Sequence, residues 1–331
     1  MKHWTEPNGI LLINIPTEWQ YLNPAIDGKI EQPPYSFQPY ENAVGCFQLS
    51  CYPLVEEAPK IAHANPHGVK ELVWQESRMD DSEFCTHLFF GAFFDQALIG
   101  KYIYKSELEH TKEIQEQLIL VKKSLNRIAI VPLNDRKLAS DLNKFDLFTA
   151  SLAASFDLLN NAIESTSYIE IITISSNQID AYLRLSIVIT KQLQKCSNDI
   201  DIKYLFQADD ERGIMERRIF DDALKLNVID EIIFKKLNYL YQFRNRVIHR
   251  YIISNIKTKD LAQIAMDYIE TSEKIRLILR DLENKQSEQE FGVYGKKFRK
   301  SNISDSGIMK RMHAAVNDKH LLKRLERKIP Q

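Results

Sequence analysis

A guanidinium, a carboxamide and an imidazole fall within one short stretch, "RNRVIH", as Arg244, Asn245 and His249, and Tyr251 follows two residues later. These side chains together meet the needs of phosphoryl chemistry. An arginine fork holds a phosphate and stabilises charge that grows in a transition state. A histidine titrates near neutrality, so it takes or gives a proton at physiological pH. Asn245 is placed to orient the imidazole or to hydrogen-bond a phosphate oxygen.

The stretch sits in "KKLNYLYQFRNRVIHRYIISN", whose apolar spacing is that of an amphipathic helix. At about 100° per residue, Ile233, Leu237, Leu240, Ile248 and Tyr251 fall within about 40° of Arg244. Asn245 and His249 are four apart and stack one turn above the other on the polar side, with Asn238 and Gln242 beside them. Lys235, Arg246 and Arg250 point further round to solvent. An arginine on an apolar stripe is costly unless paired or wet. Two arrangements meet that demand. One is a buried salt bridge to Glu170 or Asp180 in the preceding helix. The other is a wet seam between two copies of this face. Arg244 and His249 are about 140° apart on one helix, so a twofold contact would let an Arg of one copy meet a His of the other.

Other constellations are weaker. "HANPH" spaces His63 and His67 as metal ligands would be on a helix, but Pro66 and the loop-like context argue against one. The Asp pairs at 80–81, 209–210 and 221–222 lack the spaced partners of a metal nuclease. "GVYGKK" (292–297) has neither the spacing nor the preceding strand of a phosphate loop. No metal and no organic cofactor is expected.

These residues must be positioned by a chain of 331 residues, long enough for two domains. Residues 1–132 hold most prolines and turn signals, with strand-like runs "GILLINIP", "AVGCFQLSCYPLV", "KELVWQES", "EFCTHLFFGAFF" and "QALIGKYIYK". A helix is expected over 106–131, with Ser106 as its N-cap and Glu109 three residues on. That order predicts an α+β domain, an antiparallel sheet with a packed helix. From 141 to 290 the pattern is helical throughout and predicts an all-α bundle of four or five helices. The segment 291–331 is set apart as a basic tail. From Tyr294 onward eleven Lys or Arg, Lys296, Lys297, Arg299 and Lys300 among them, face three acids. The tail carries +8 and the rest of the chain −9. It reads either as a solvated terminus or as a phosphate-seeking arm. Four cysteines without metal spacing, no apolar run of membrane-spanning length and no signal-peptide pattern predict a soluble cytoplasmic protein.

"RNRVIH" resembles the Arg-x4-6-His motif of HEPN domains, helical-bundle ribonucleases of toxin–antitoxin and phage-defence systems, in which a polar residue follows the Arg. "RNRVIHRY" also resembles the Arg-x4-His-x-Tyr version of HEPN toxins that pair with a nucleotidyltransferase antitoxin. The resemblance covers about 145–285. It implies a metal-independent endoribonuclease that acts as a homodimer and leaves 2′,3′-cyclic phosphate, with Arg244, Asn245 and His249 catalytic. Arg246, Arg250 and the basic residues at 296–300 would contact RNA. Tyr251 would be a target for AMP addition by an antitoxin or other regulatory protein, if it is not an ordinary core tyrosine. A catalytically silent HEPN-like scaffold for dimerisation and partner binding is the alternative reading. The first domain is similar in pattern to the PsbP-like α/β sandwich, and a sensing or docking role is expected of it.

Overall fold

In a computed structural model the described residues are 1–22, 32–54, 73–93, 96–207 and 212–296. His63 and His67, Asp209 and Asp210, and Lys297, Arg299 and Lys300 lie outside them. The chain is α+β first and all-α afterwards, and it divides into two compact units at Ser140 and Asp141.

The first unit contains β1 (Lys2–Thr5), β2 (Leu11–Ile15), β3 (Trp19–Leu22), β4 (Tyr35–Pro39), β5 (Gly45–Pro53), β6 (Gln75–Asp80), β7 (Phe84–Phe93), β8 (Gln96–Lys105) and β9 (Ala129–Ile130), with helix α1 over Lys112–Leu125. Six strands form one antiparallel sheet in the order β3-β4-β5-β8-β7-β6, and β1-β2-β9 form a second. Alternation places Phe47, Leu49, Leu98, Tyr102 and Tyr104 on one buried face, where Ile114, Leu118, Val121 and Leu125 of α1 cover them. The helix starts later than expected. Ser106 opens a single 3₁₀ turn, Thr111 is the N-cap, and residues 129–130 pair with β2 as a strand. Strands β1, β3 and β4 gave too few alternating positions to stand out in the sequence.

The second unit contains α2 (Arg136–Glu164, whose first turn precedes the division), α3 (Tyr168–Lys195), α4 (Glu216–Lys225), α5 (Glu231–Arg250) and α6 (Thr258–Ser287). Helix α3 is buried along its length, from Ile171 to Gln192, and α6 packs along it while α4 and α5 also contact it. The core joins Ile172, Leu183, Ile187 and Ile189 of α3 to Phe220 of α4, Leu237, Leu240 and Val247 of α5 and Ile275 of α6. Between α3 and α6 lie two buried amides. Gln286 Nε2 donates to Gln192 Oε1 at 3.0 Å, and Gln192 Nε2 donates to the carbonyls of Asn198 and Asp199. Val293 N donates to Gln192 Oε1 and Tyr294 N to Gln286 Oε1, so residues 291–296 of the expected basic tail are held on the helical unit. Gly292, at φ +85°, has its missing side chain facing Gln286, which only glycine allows. Among the described residues, no helix is long and apolar enough to cross a membrane.

Leu183 is fully buried at the centre of α3. Its truncation to Ala is expected to cost about 2–5 kcal/mol, read as a lower urea midpoint in far-UV circular dichroism.

Candidate active site on the fifth helix

Helix α5 begins where Asp230 accepts a hydrogen bond from Ile233 N at 2.8 Å, an N-cap of ordinary form. Leu237, Leu240 and Val247 bury one side against the core, and burial ends there. Ile248 and Tyr251, expected on the covered stripe, are exposed, as are His249, Arg250, Ile252 and Ile253. Ile252 is 95% exposed and Ile253 83%. The last turn of α5 and the residues after it therefore present apolar side chains to solvent around an imidazole. Tyr251 is thus not a core residue.

Arg244 is paired, but not with either expected residue. Its Nη2 lies 2.7 Å from Glu216 Oε2, with side-chain exposures of 17% and 15%, and Nη2 also donates to Asn245 Oδ1 at 3.2 Å. Glu216 stands in the first turn of α4, where a carboxylate is favoured by the helix dipole. The guanidinium also lies 5.0 Å from the Tyr241 ring centroid, a cation–π contact. Asp180 is committed to Arg184, which donates to it through Nε at 2.5 Å and to the carbonyls of Tyr204 and Ile214. Its charge still acts on Arg244 and Glu216. Glu170 takes no part.

The four charges form a largely dry cluster. Burial pushes the Glu216 carboxyl from 4.5 up to about 7; Arg244 opposes that rise and the like charge of Asp180 adds to it. Burial likewise raises Asp180, against the pull of Arg184 and Arg244, and raises the Tyr268 phenol. Arg244 Nε, Asp180 Oδ1 and Tyr268 Oη are buried without a hydrogen-bond partner among the described residues. Under-satisfied polar groups of this kind are rare in a core, and three of them belong to the surroundings of this arginine.

The structure thus brings Arg244 and Asn245 into contact and leaves His249 exposed one turn beyond Asn245. Arg246 lies over the Phe243 ring at 5.5 Å, and Arg250 is exposed at the helix end. Lys296 pairs with Glu290 at 3.3 Å. Sequence reasoning missed Glu216. Its signal was present, as the one carboxylate in the first turn of "ERRIFDDALK" that precedes a buried Ile219-Phe220 step.

The raised carboxyl has a stability consequence. Between about pH 4.5 and 7 the folded state holds a proton on Glu216 that the unfolded chain has lost, so stability falls as pH rises through that window. Glu216→Gln removes that share of the dependence, and urea midpoints of the two chains are expected to converge towards acid and separate towards pH 7, with the variant the more stable. Glu216→Ala, which leaves the guanidinium unpaired, is expected to cost about 3 kcal/mol.

No family model and no curated protein matches this chain. Several solved structures are distantly similar, two of which are the following. A crystal structure of a protein from Bacteroides thetaiotaomicron VPI-5482 covers 53% of this chain and 76% of its own at 10% identity and a TM-score of 0.29. The solution structure of cyanobacterial PsbP from Synechocystis sp. PCC 6803 covers 39% of this chain and 92% of its own at 6% identity and a TM-score of 0.22. Likenesses at these scores carry no argument about function.

Proposed function

We propose that the chain is a metal-independent endoribonuclease that cuts RNA at a site composed by two copies of α5. The observation that carries this reading is the exposed His249, one turn from the bonded Arg244–Asn245 pair, on a helix end whose apolar residues Ile248, Tyr251, Ile252 and Ile253 lack cover. Contiguous exposed apolar side chains of this kind mark interaction surfaces. A second copy docked there would bring His249 of one chain towards Arg244 of the other, which a single helix keeps about 140° apart.

The chemistry uses the substrate's own nucleophile. His249 takes the proton of a ribose 2′-hydroxyl as the 2′-oxygen bonds to phosphorus, and the P–O5′ bond breaks. The proton ends on the leaving 5′-oxygen. The products carry a 2′,3′-cyclic phosphate and a 5′-hydroxyl. Arg244 stabilises the charge on the phosphoryl oxygens, and Asn245 holds the guanidinium in place. Glu216 competes with phosphate for Arg244, so the ion pair would have to open or reorient as substrate binds. Exposed Tyr251 is available to a modifying partner such as an antitoxin, and modification there would place bulk and charge on the docking face.

The same ion pair favours a second reading. With Glu216 neutralising Arg244, the bundle would serve as a silent scaffold for dimerisation and partner binding. The experiment that separates the two is cleavage of mixed RNA in EDTA. The nuclease reading expects cyclic-phosphate ends from the wild type and a loss of about a hundredfold or more in His249→Ala. Equal absence of cleavage in both, with dimers intact, selects the scaffold.

Dimerisation has its own test. Ile252→Glu with Ile253→Glu is expected to give monomers by sedimentation and to abolish cleavage. Both side chains are exposed in the monomer, so the melting temperature of the monomeric fold should stay within a few degrees.

A further inference from the structure

A shallow, open depression of about 390 Å³ lies along α5 beside α4, a cleft lined by Phe234, Lys235, Asn238, Tyr239 and Gln242 of α5 and by Arg217 of α4. Its position on α5 ties it to the candidate site. At about 100° per residue, Phe234, Asn238, Gln242, Asn245 and His249 fall within an arc of about 80°. They form one continuous stripe from the cleft to the imidazole. On one flank stand Lys235, Arg246 and Arg250, and across the cleft is Arg217. Arg217 and Lys235 make no ion pair among the described residues. Of the nearby acids, Asp230 caps the start of α5, Glu231 follows it, and Asp221, one turn from Arg217, is not part of the lining.

The cleft offers three kinds of contact. Tyr239 is 50% exposed, with the Phe243 ring centroid 4.7 Å away and Lys236 Nζ over its ring at 5.6 Å, and the exposed part of the ring is what a base would meet. Asn238 Nδ2 donates to the Phe234 carbonyl at 3.0 Å, which leaves its Oδ1 as an acceptor. Gln242 is exposed and brings both a donor and an acceptor. Arg217 and Lys235, without an ion pair among the described residues, supply positive charge. Aromatic stacking, amide readout of base edges and cations for the backbone are the combination that holds single-stranded nucleic acid.

We propose that this cleft seats a nucleotide of a single-stranded RNA, its base on Tyr239 with its edge on Asn238 and Gln242 and its phosphates on Arg217 and Lys235, so that the strand runs along α5 to Asn245 and His249. The inference rests on the ribonuclease reading and adds a specificity subsite to it. The free acceptor of Asn238 and the donor–acceptor pair of Gln242 match a base with an exocyclic amine beside a ring nitrogen, and a purine stacks best. The lining therefore favours a purine over uracil.

The test is binding of fluorescent 2′-O-methyl oligoadenylate and oligouridylate to the full chain, read by anisotropy. The 2′-O-methyl group blocks the nucleophile, so binding is read apart from cleavage. The expected result is tighter binding of oligoadenylate. Tyr239→Ala and Gln242→Ala should each weaken it about tenfold and erase the preference, and Arg217→Ala with Lys235→Ala should lower the salt slope by about 1.4. All four altered lining side chains are exposed or line an open cleft, and matched melting temperatures confirm folding. Affinity unchanged in every cleft variant, or competition by polyglutamate equal to that by oligoadenylate, overturns the proposal. Base-selective binding without RNA cleavage would leave the subsite standing and remove the nuclease reading; cleavage with unaltered binding in the cleft variants would do the reverse.

Discussion

Helix α3 is apolar around most of its circumference, with Ile171, Ile172, Ile179, Leu183, Leu185, Ile187, Val188 and Ile189 all buried. A helix of that kind is stable only when other helices surround it. The surrounding elements are amphipathic, α4 through Ile219, Phe220 and Ala223 and α5 through Leu237, Leu240 and Val247. Covering α3 sets α4 beside α5, and that neighbourhood produces both features on which the functional reading depends. On one side of the α4–α5 contact Glu216 meets Arg244, and on another the cleft lined by Arg217, Lys235 and Tyr239 remains open.

The charged cluster shows how a core tolerates ions. Asp180, Arg184, Glu216 and Arg244 are each partly removed from water, and each has at least one opposite charge in reach. Pairing offsets much of the desolvation, yet the carboxyls stay raised because burial outweighs the attraction. The pair is therefore poised: Glu216 holds Arg244 less firmly in its neutral form than as a carboxylate.

Much of this was legible in the residues. The five helices of the second unit follow the 3.6-residue spacing closely, and Asp230, Lys195 and the glycine-poor stretch bound them where they occur. The long strands β5, β7 and β8 were visible for the same reason, having enough alternating positions to show a period. The partner of Arg244 was not, since an ion pair between residues 28 positions apart depends on how α4 folds back on α5. Nor was the exposure of Ile248 and Tyr251 visible. Periodicity says which side of a helix is apolar, while only packing says how far along the helix that side is covered.

The paired glutamines of α3 and α6 bear on how this unit can move. Aliphatic ridges slide past one another with modest loss, because one methyl replaces another in the same groove. Gln192 and Gln286, 1% and 0% exposed, do not permit that. A shift of α6 along α3 would strand both amides and the backbone donors of Val293 and Tyr294 that they satisfy, at about 1–3 kcal/mol for each buried group left unpaired. They act as a detent on the helix pair that carries α5. The register of α6 on α3 is thereby fixed by polar contacts, and sliding along that pair is a costly motion in this unit.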